Sequence, residues 1–348
     1  MKISRVVQVI LSAASTCTAD GSQSAPESHT SVIPRAPSIE SNCSDWTAWM
    51  PPRTDPAVIM QVVTDGYVPV EKNFIAYMEK NSQFSRENIF LVCLDKGSER
   101  DIALLGFRCV PVADQSGIGR NHAFVWRMRV KVLSCLLEAG YNVIASDSDA
   151  LWLKDPALDF ELPEVRGSGI VSSRGDMPPE LYQRWGSVLC MGFIFFRPGA
   201  GVDEVLKQIN TLIQTIGDDQ RSLNYVLQRM HIKWDTTTEM RYVQSTSFGR
   251  GTVPMAGLKG GGLNVTLLPH SKYTRKCDEV PIGSNTTVAH CHAKKKGPLK
   301  IEWMKRENMW EVDNLTVSGQ GETQGGLSEG DMRSGSVIKS WDKFSGEN

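Results

Sequence analysis

The 348-residue sequence is poor in the features that mark nucleic-acid-binding and membrane-spanning proteins. It has no excess of positive charge, because 38 Lys and Arg are balanced by 39 Asp and Glu. A dedicated nucleic-acid-binding protein is therefore not expected. The only near-continuous apolar stretch, at the extreme N-terminus, covers about ten residues, whereas a membrane-spanning helix needs about 20. This excludes a protein with several membrane spans.

Motifs of several other classes are missing as well. The eight Cys include no Cys-x-x-Cys pair, which argues against a zinc ribbon or a thioredoxin-like redox centre. No Gly-x-Ser-x-Gly motif marks a serine hydrolase. A nucleotidyltransferase would carry a Gly-rich phosphate-binding loop after its first strand, and here that strand is followed by Thr64-Asp65-Gly66-Tyr67. These enzyme classes are therefore not predicted.

The N-terminal sequence is typical of a secretory signal peptide. Lys2 and Arg5 precede the apolar residues of 6–11, and small residues follow up to Ala19. We therefore expect a signal peptide over 1–19. A short membrane anchor and a buried first strand are the alternatives.

Glycosylation sequons also support entry into the secretory pathway. Four Asn-x-Ser/Thr triplets begin at Asn42, Asn264, Asn285 and Asn314. In an oxidising lumen some of the cysteines would pair. Cys93, Cys109 and Cys135 lie in apolar surroundings and are equally consistent with buried thiols. The sequence leaves the pairing open.

Composition divides the chain into a folded domain with flanking segments. Ser, Pro and Thr dominate residues 20–56, which predicts a flexible stem. Gly, Ser and acidic residues dominate 311–348, which predicts a disordered tail. One catalytic domain is then expected over 57–310.

Within that domain, short apolar runs alternate with helical patterns. Strands are predicted at 58–63, 89–94, 109–112 and 141–146, and helices at 70–79 and 122–139. This alternation predicts an α/β fold with a parallel sheet. Ligands of such sheets bind beyond the carboxyl ends of the strands.

At one such end stands Asp147-Ser148-Asp149, directly after the predicted strand 141–146. Side chains two apart on an extended chain point to the same side, so both carboxylates can face one ligand. Carboxylate oxygens suit Mg²⁺ or Mn²⁺, which would bridge to phosphate oxygens. A solvated turn is the alternative for an acidic triplet, but two acids at the end of a buried strand need a partner.

The stretch from Phe124 to Pro156, with Asp147-Ser148-Asp149 at its centre, resembles the DxD segment of the nucleotide-diphospho-sugar transferase domain. That domain occurs in plant and algal arabinosyl-, galactosyl- and xylosyltransferases. The resemblance extends over about 58–310 and implies a GT-A type α/β fold, in which a mostly parallel central sheet is flanked by helices. It also implies that Asp147 and Asp149 hold the metal and that Asp147 contacts the nucleotide-sugar.

The resemblance assigns further site residues. Lys131 matches a basic residue that reaches the nucleotide-sugar, and Gly192 lies on a strand similar to the family's, where Cys190 and Met191 replace an expected polar pair. Asp219 and Gln220 match a segment near the reacting sugar carbon of retaining members. Acids that open a helix also complement its dipole, and both roles can coexist. The remaining donor-binding residues are Thr64, Lys296 and Lys300.

A third metal ligand is expected near the end of the domain. His290 and His292 precede a basic loop with Gly297 and Lys300, similar to the family's His and Gly-x-x-Lys pattern. His290 is favoured, and His292 is not excluded. A zinc site of Cys277, His290, Cys291 and His292 is the lesser alternative, since adjacent residues on a strand point oppositely.

The function implied is a Mn²⁺- or Mg²⁺-dependent glycosyltransferase that moves a sugar from a nucleotide diphosphate to a hydroxyl group of a glycan or glycoprotein. Its products are expected to retain the donor's anomeric configuration. The Golgi lumen is the expected location, and secretion is the alternative. A catalytically decayed, lumenal sugar- or nucleotide-binding protein on the same fold is the second hypothesis, favoured by Cys190 and Met191.

Overall fold

A computed structural model describes residues 34–50, 57–113, 121–258, 261–291 and 298–312. The predicted signal peptide and all but the first two residues of the predicted tail lie outside these ranges. From Arg35 onward the described residues belong to one compact unit. None of the helices described is long and apolar enough to cross a membrane.

The described part of the chain forms nine α-helices and twelve β-strands. In chain order they are α1 (Cys43–Thr47), β1 (Val58–Val63), α2 (Val68–Asn81), β2 (Ile89–Cys93), α3 (Lys96–Ala103), β3 (Cys109–Pro111), α4 (His122–Glu138), β4 (Val143–Ser146), β5 (Leu151–Trp152), α5 (Ala157–Phe160), β6 (Ile170–Gly175), α6 (Pro179–Trp185), β7 (Val188–Phe196), α7 (Ala200–Ile216), α8 (Asp219–Arg229), β8 (Lys233–Trp234), β9 (Gly249–Pro254), β10 (Gly262–Leu267), β11 (Tyr273–Thr274), β12 (Val288–Ala289) and α9 (Pro298–Arg306).

Nine of these strands form the central sheet, in the order β3-β2-β1-β4-β7-β6-β10-β9-β8. The pairings make seven strands run in one direction, while β7 and β9 run against them. The predicted α/β class with a mostly parallel sheet is confirmed. β11, β12 and β5 form a second, small sheet.

Both faces of the central sheet are buried. Along β1, Val58 and Met60 pack on the side of α4, α7 and α8, whereas Ile59 and Val63 pack on the side of α2 and α3. Successive side chains of a strand point to opposite faces, so a strand that is apolar at every position needs helices on both sides. This is why β1, β2 and β4 appear in the sequence as short continuous apolar runs.

The helix predicted at 122–139 forms as α4. The Asn121 side chain accepts a hydrogen bond from the backbone N–H of Phe124 and caps its first turn. Gly140, at φ +85°, follows the last turn in the left-handed region, where a side chain would be strained. The helix therefore ends where the chain must turn back into β4.

Residues 35–50, predicted as part of a flexible stem, pack on the domain. Trp46 is fully buried and the Trp49 indole N–H donates to the Arg35 carbonyl at 3.2 Å. Cys43 in α1 forms a disulfide with Cys135 in α4. The Ser/Pro-rich composition did not indicate that Trp46 and Trp49 are buried or that Cys43 forms a disulfide.

Cys93, Cys109 and Cys135, for which buried thiols were the alternative, form disulfides. Besides Cys43–Cys135, the structure contains Cys93–Cys109, which joins the neighbouring strands β2 and β3, and Cys277–Cys291. Cys190 is the free cysteine of the described residues and is buried. Three cross-links of this kind restrict the unfolded chain and stabilise the fold, typically by about 2–4 kcal/mol each.

Candidate functional site

Asp147, Asp149 and His290 converge at the carboxyl edge of the sheet. β4 ends at Ser146 and delivers the two aspartates. The antiparallel pairing of β12 with β5 sets Ala289 opposite Leu151, so the next residue, His290, lies beside Asp149. His290 Nε2 is 3.5 Å from Asp147 Oδ2 and 3.4 Å from Asp149 Oδ1. The sequence prediction placed these three side chains together, and the structure does so.

This cluster fits a divalent cation. One ligand atom from each of the three residues lies within 4.8 Å of the others. Two carboxylates and an imidazole are suitable ligands for Mn²⁺ or Mg²⁺. His290 is 8% exposed and Asp149 is 7% exposed, so little water screens the charge of Asp149. The Asp147 side chain is 39% exposed. Metal binding itself stays a prediction.

Gly192 makes room for the cluster. β7 runs antiparallel to β4 and is longer, so its residues 188–192 extend past the end of β4. The backbone N–H of Asp147 donates to the Gly192 carbonyl at 2.8 Å. A Cβ at Gly192 would lie 2.0 Å from His290 Cε1 and 2.7 Å from Asp147 Oδ2. A residue with a side chain therefore cannot replace it without displacing His290.

Arg129 of α4 is a site residue that the sequence prediction missed. Its guanidinium lies 2.9 Å from Asp147 Oδ1 and 3.4 Å from Asp219 Oδ2, and it also donates to the Met191 carbonyl. Burial raises the pKa of Asp147, but the positive charges around it, Arg129 first, outweigh burial and hold that pKa below its usual range.

Lys131, predicted to reach the nucleotide-sugar, lies two residues further along α4. It is half-buried and forms no ion pair with the aspartates in the structure as described. The basic side chain of this helix that reaches the acidic cluster is Arg129. A contact of Lys131 with the donor stays a prediction.

Asp219 and Gln220 open α8, as predicted. Asp218 caps that helix by accepting from the Arg221 N–H at 2.7 Å. Asp219 is 3% exposed, and burial raises its pKa to about 6 although Arg129 opposes the shift. The Gln220 amide donates to the Met177 carbonyl at 2.8 Å and accepts from the Met191 N–H at 3.3 Å. Both residues thus border the cluster, and their catalytic roles stay predictions.

The predicted donor-binding lysine Lys300 contacts the cluster from α9. Its ammonium group forms an ion pair with Asp149, and burial lowers its pKa to about 8. Lys296 and His292 lie outside the described residues. Thr64 follows β1, the strand next to β4, and is therefore at the same edge of the sheet. Tyr67, in the turn after Thr64, is 37% exposed and close enough to Asp147 for that charge to add to the pKa increase caused mainly by burial.

Cys190 and Arg275 complete the site. Arg275 donates to Cys190 Sγ, and Cys190 Sγ is 4.0 Å from His290 Nδ1. Burial raises the pKa of the Cys190 thiol, but Arg275 and His290 bring it down to about 7. Because Cys277 and Cys291 are joined in a disulfide, neither offers a thiolate to a zinc ion, and the alternative zinc site is excluded.

A buried acid lies directly behind the acidic strand end. Ser148, between the two aspartates, donates to Glu71 Oε2 of α2 at 2.6 Å. Glu71 is fully buried and its Oε1 has no hydrogen-bond partner in the described structure. Burial raises the pKa of Glu71 to about 7, although the hydrogen bond from Ser148 opposes the shift.

Glu71→Gln is expected to remove a pH dependence of stability. Between pH 4.5 and about 7 the unfolded chain ionises Glu71 while the folded protein keeps it protonated, so folding stability falls as pH rises. Relative to the wild type, the free energy of unfolding of the variant should rise by about 2.5 kcal/mol between pH 5 and pH 8. Urea unfolding at both pH values measures this.

Glu87→Gln is the matched control, since Glu87 also accepts a serine hydroxyl, from Ser85 at 2.7 Å, but is exposed. The pH dependence of stability should change far more in Glu71→Gln than in this surface variant. An equal pH dependence in Glu71→Gln and the wild type would contradict the account of Glu71.

The chain was compared with known proteins by its sequence and by its fold. Residues 85–299, more than half of the chain, match the model of the nucleotide-diphospho-sugar transferase family. No curated protein sequence is significantly similar to the chain.

Several solved glycosyltransferases resemble the structure. The glycosyltransferase GlyE of Streptococcus pneumoniae TIGR4 has 10% identity and a TM-score of 0.43, over 76% of this chain and 66% of that one. The galactosyltransferase LgtC, in complex with donor and acceptor sugar analogs, has 13% identity and a TM-score of 0.40, over 74% and 93%. The bifunctional glycosyltransferase WbbM has 14% identity and a TM-score of 0.38, over 50% of this chain and only 38% of that one.

The family model spans the strand that delivers Asp147 and Asp149, the strand of Gly192, and the segment of His290. Asp147, Asp149, Gly192 and His290 thus fall inside the matched region, whereas Thr64 and Lys300 lie outside it. The chain belongs to the nucleotide-diphospho-sugar transferase family and is a glycosyltransferase.

Proposed function

We propose that this glycosyltransferase uses Mn²⁺ or Mg²⁺, bound by Asp147, Asp149 and His290, to transfer a sugar from a nucleotide diphosphate to a hydroxyl group of a glycan or glycoprotein. The observation that carries the proposal is the convergence of these three side chains at the carboxyl edge of the sheet. A GT-A type fold and a relationship to plant and algal arabinosyl-, galactosyl- and xylosyltransferases are part of the same proposal.

The donor diphosphate would lie beside this cluster, next to Lys300. A divalent cation bound there would neutralise the charge that develops on the departing diphosphate. Lys300 supplies a second positive charge, since a pKa of about 8 leaves its amine mostly protonated at pH 7. Thr64 and the half-exposed ring of Tyr67 lie on the neighbouring strand end and would contact the nucleoside.

The sugar ring would lie on the other side of the cluster, against Gln220 and Asp219. Gln220 is oriented by its bonds to the Met177 carbonyl and the Met191 N–H. Such a fixed amide dipole can stabilise positive charge on the reacting sugar carbon while the acceptor hydroxyl attacks from the face that the diphosphate leaves. We therefore propose retention of the anomeric configuration. Burial of the site limits hydrolysis of the donor by water.

Location in the secretory pathway, with the Golgi lumen favoured over secretion, is also proposed. Three disulfides support it, because disulfides persist in oxidising compartments. The sequons at Asn42 and Asn285 support it further, since both asparagines are exposed.

The test is a thermal-shift screen of UDP and GDP sugars with Mn²⁺ or with EDTA. At 100 times its Kd the correct donor should raise the unfolding midpoint by roughly 5–10 °C with Mn²⁺ only. Asp149→Asn should abolish the shift. Asp101→Asn, a surface carboxylate paired with Arg100, is the control and should keep it.

Transfer products identify the reaction. NMR of the new glycosidic bond should show the anomeric configuration of the donor, and inversion would refute the retaining mechanism. A midpoint shift that persists in EDTA, or in Asp149→Asn, would refute the metal-dependent donor site.

A further inference from the structure

Arg275 is a cation of the site that forms no ion pair with a carboxylate in the described structure. Arg129 and Lys300, the other cations there, each form an ion pair with an aspartate. Within the described ranges, no carboxylate oxygen lies within 4.0 Å of the Arg275 guanidinium. Its side-chain hydrogen bonds go to Cys190 Sγ and to Gln220 Oε1, the latter at 3.4 Å. A half-buried guanidinium without a carboxylate is available to an anionic ligand.

Strand pairing places Arg275 in the site. β11 and β12 run parallel, with Thr274 opposite Ala289, so Arg275 and His290 follow at the same end of adjacent strands. The His290 N–H donates to the Thr274 carbonyl at 2.9 Å. The position of Arg275 beside the metal cluster is therefore as well fixed as that of His290.

Two further interactions hold the Arg275 backbone. The Cys277–Cys291 disulfide links the residues just after Arg275 and His290. The His270 Nε2 accepts the backbone N–H of Arg275 at 3.1 Å and that of Lys276 at 3.4 Å. A side chain on a backbone held in this way loses little entropy when it binds a ligand.

Its contact with Gln220 places the Arg275 guanidinium on the sugar side of the proposed donor site. Lys300, which would contact the diphosphate, pairs with Asp149, whereas Arg275 contacts Gln220, proposed to face the reacting sugar. An anionic group held by Arg275 would therefore belong to the sugar. Arginine binds carboxylates with two parallel N–H donors, a geometry that a hydroxyl cannot match.

We propose that Arg275 selects donors whose sugar carries a carboxylate, that is, nucleotide-diphospho-uronic acids. This inference rests on the proposed function, because it requires a nucleotide-sugar at the Asp147, Asp149 and His290 cluster.

The experiment compares donors that differ only at the C6 position. With Mn²⁺ present, isothermal titration first determines whether the wild type binds UDP or GDP. It then compares UDP-glucuronate with UDP-glucose, or GDP-mannuronate with GDP-mannose. We expect the uronate to bind about 10- to 100-fold more tightly, the range for a hydrogen bond to a charged group. Arg275→Gln should remove the preference, and Arg275→Lys should keep part of it.

Lys276→Gln is the matched control. Lys276 is the neighbouring cation, but it lies 3.3 Å from Glu279 and 3.7 Å from Asp176, so its charge is already balanced. This variant should keep the uronate preference.

Three other results of these titrations would overturn the inference. If the wild type binds the uronate no more tightly than the neutral sugar, the inference is overturned while the proposed function stands, and the Cys190 sulfur is then the partner of Arg275. If Arg275→Gln weakens UDP or GDP alone as much as it weakens the uronate, Arg275 binds the diphosphate and the inference is again overturned. If neither nucleotide binds with Mn²⁺, the proposed function fails and this inference fails with it.

The wild-type comparison needs no variant, so the inference can be refuted even if Arg275→Gln misfolds.

Discussion

Gly192→Ala is expected to abolish metal-dependent donor binding while the protein stays folded. The added Cβ would lie 2.0 Å from His290 Cε1, so the imidazole must leave its place beside Asp147 and Asp149. A displacement of about 1 Å in a site of this kind can cost roughly 100-fold. We therefore expect donor affinity and transfer activity to fall by about 100-fold or more. The stability loss from overpacking should stay near 1–3 kcal/mol.

Titration of the donor with Mn²⁺ and urea unfolding measure the two effects separately. Gly167→Ala is the control, because a Cβ there would meet no atom within 4 Å and the backbone does not need a positive φ. It should leave both quantities unchanged. Wild-type affinity in Gly192→Ala would mean that His290 is not held by the fit against β7.

Arg129→Met is expected to cost more stability than any other single change in the site. Arg129 is 7% exposed and lies between Asp147 and Asp219, the latter 3% exposed. Removing the cation leaves the buried Asp219 without an ion-pair partner in the described structure, and it takes one of two ion-pair partners from Asp147. Loss of one member of a buried ion pair typically costs 3–5 kcal/mol. The pKa of Asp219, already raised to about 6 by burial, should rise further.

A double-mutant cycle isolates this effect. Asp219→Asn removes the uncompensated charge, so the double variant Arg129→Met with Asp219→Asn should recover a large part of the lost stability. Arg127→Met is the control on the same helix, since Arg127 donates only to the Ala123 carbonyl and Gln214 Oε1 in the described structure. It should change the free energy of unfolding by less than about 1 kcal/mol. Additive losses in the double variant would contradict the proposed pairing of Arg129 with Asp219.

Local sequence patterns predicted much of the sheet correctly. The strand predicted at 58–63 is β1 to the residue, and the helix predicted at 122–139 is α4 with Gly140 at its end. These segments are long enough, and apolar enough on the correct period, for burial alone to decide their structure. The reversed direction of β7 was not predictable, because a fully apolar strand reads the same in either direction.

Arg129 and Lys131 of α4 show what a local sequence pattern leaves undecided. Arg129 and Lys131 are both long and basic, and they point roughly 200° apart around the helix. Which of them faces Asp147 depends on how α4 packs against the sheet. The packing brings Arg129 to Asp147, and the contact of Lys131 with the nucleotide-sugar, which the family resemblance implies, stays a prediction.

The sequence by itself determined the acidic strand end. Asp147 and Asp149 directly follow the buried strand β4, where the chain turns and the Ala150 N–H donates to the Asp147 carbonyl at 2.9 Å. This turn, and not an extended chain, brings both carboxylates beside His290. Only the tertiary structure decided which other side chains lie beside these two aspartates. His290 and Arg275 arrive through the pairing of β5, β11 and β12, and Arg129 arrives through the packing of α4. Such contacts between distant parts of the chain depend on strand register and helix orientation, and no short stretch of sequence encodes either.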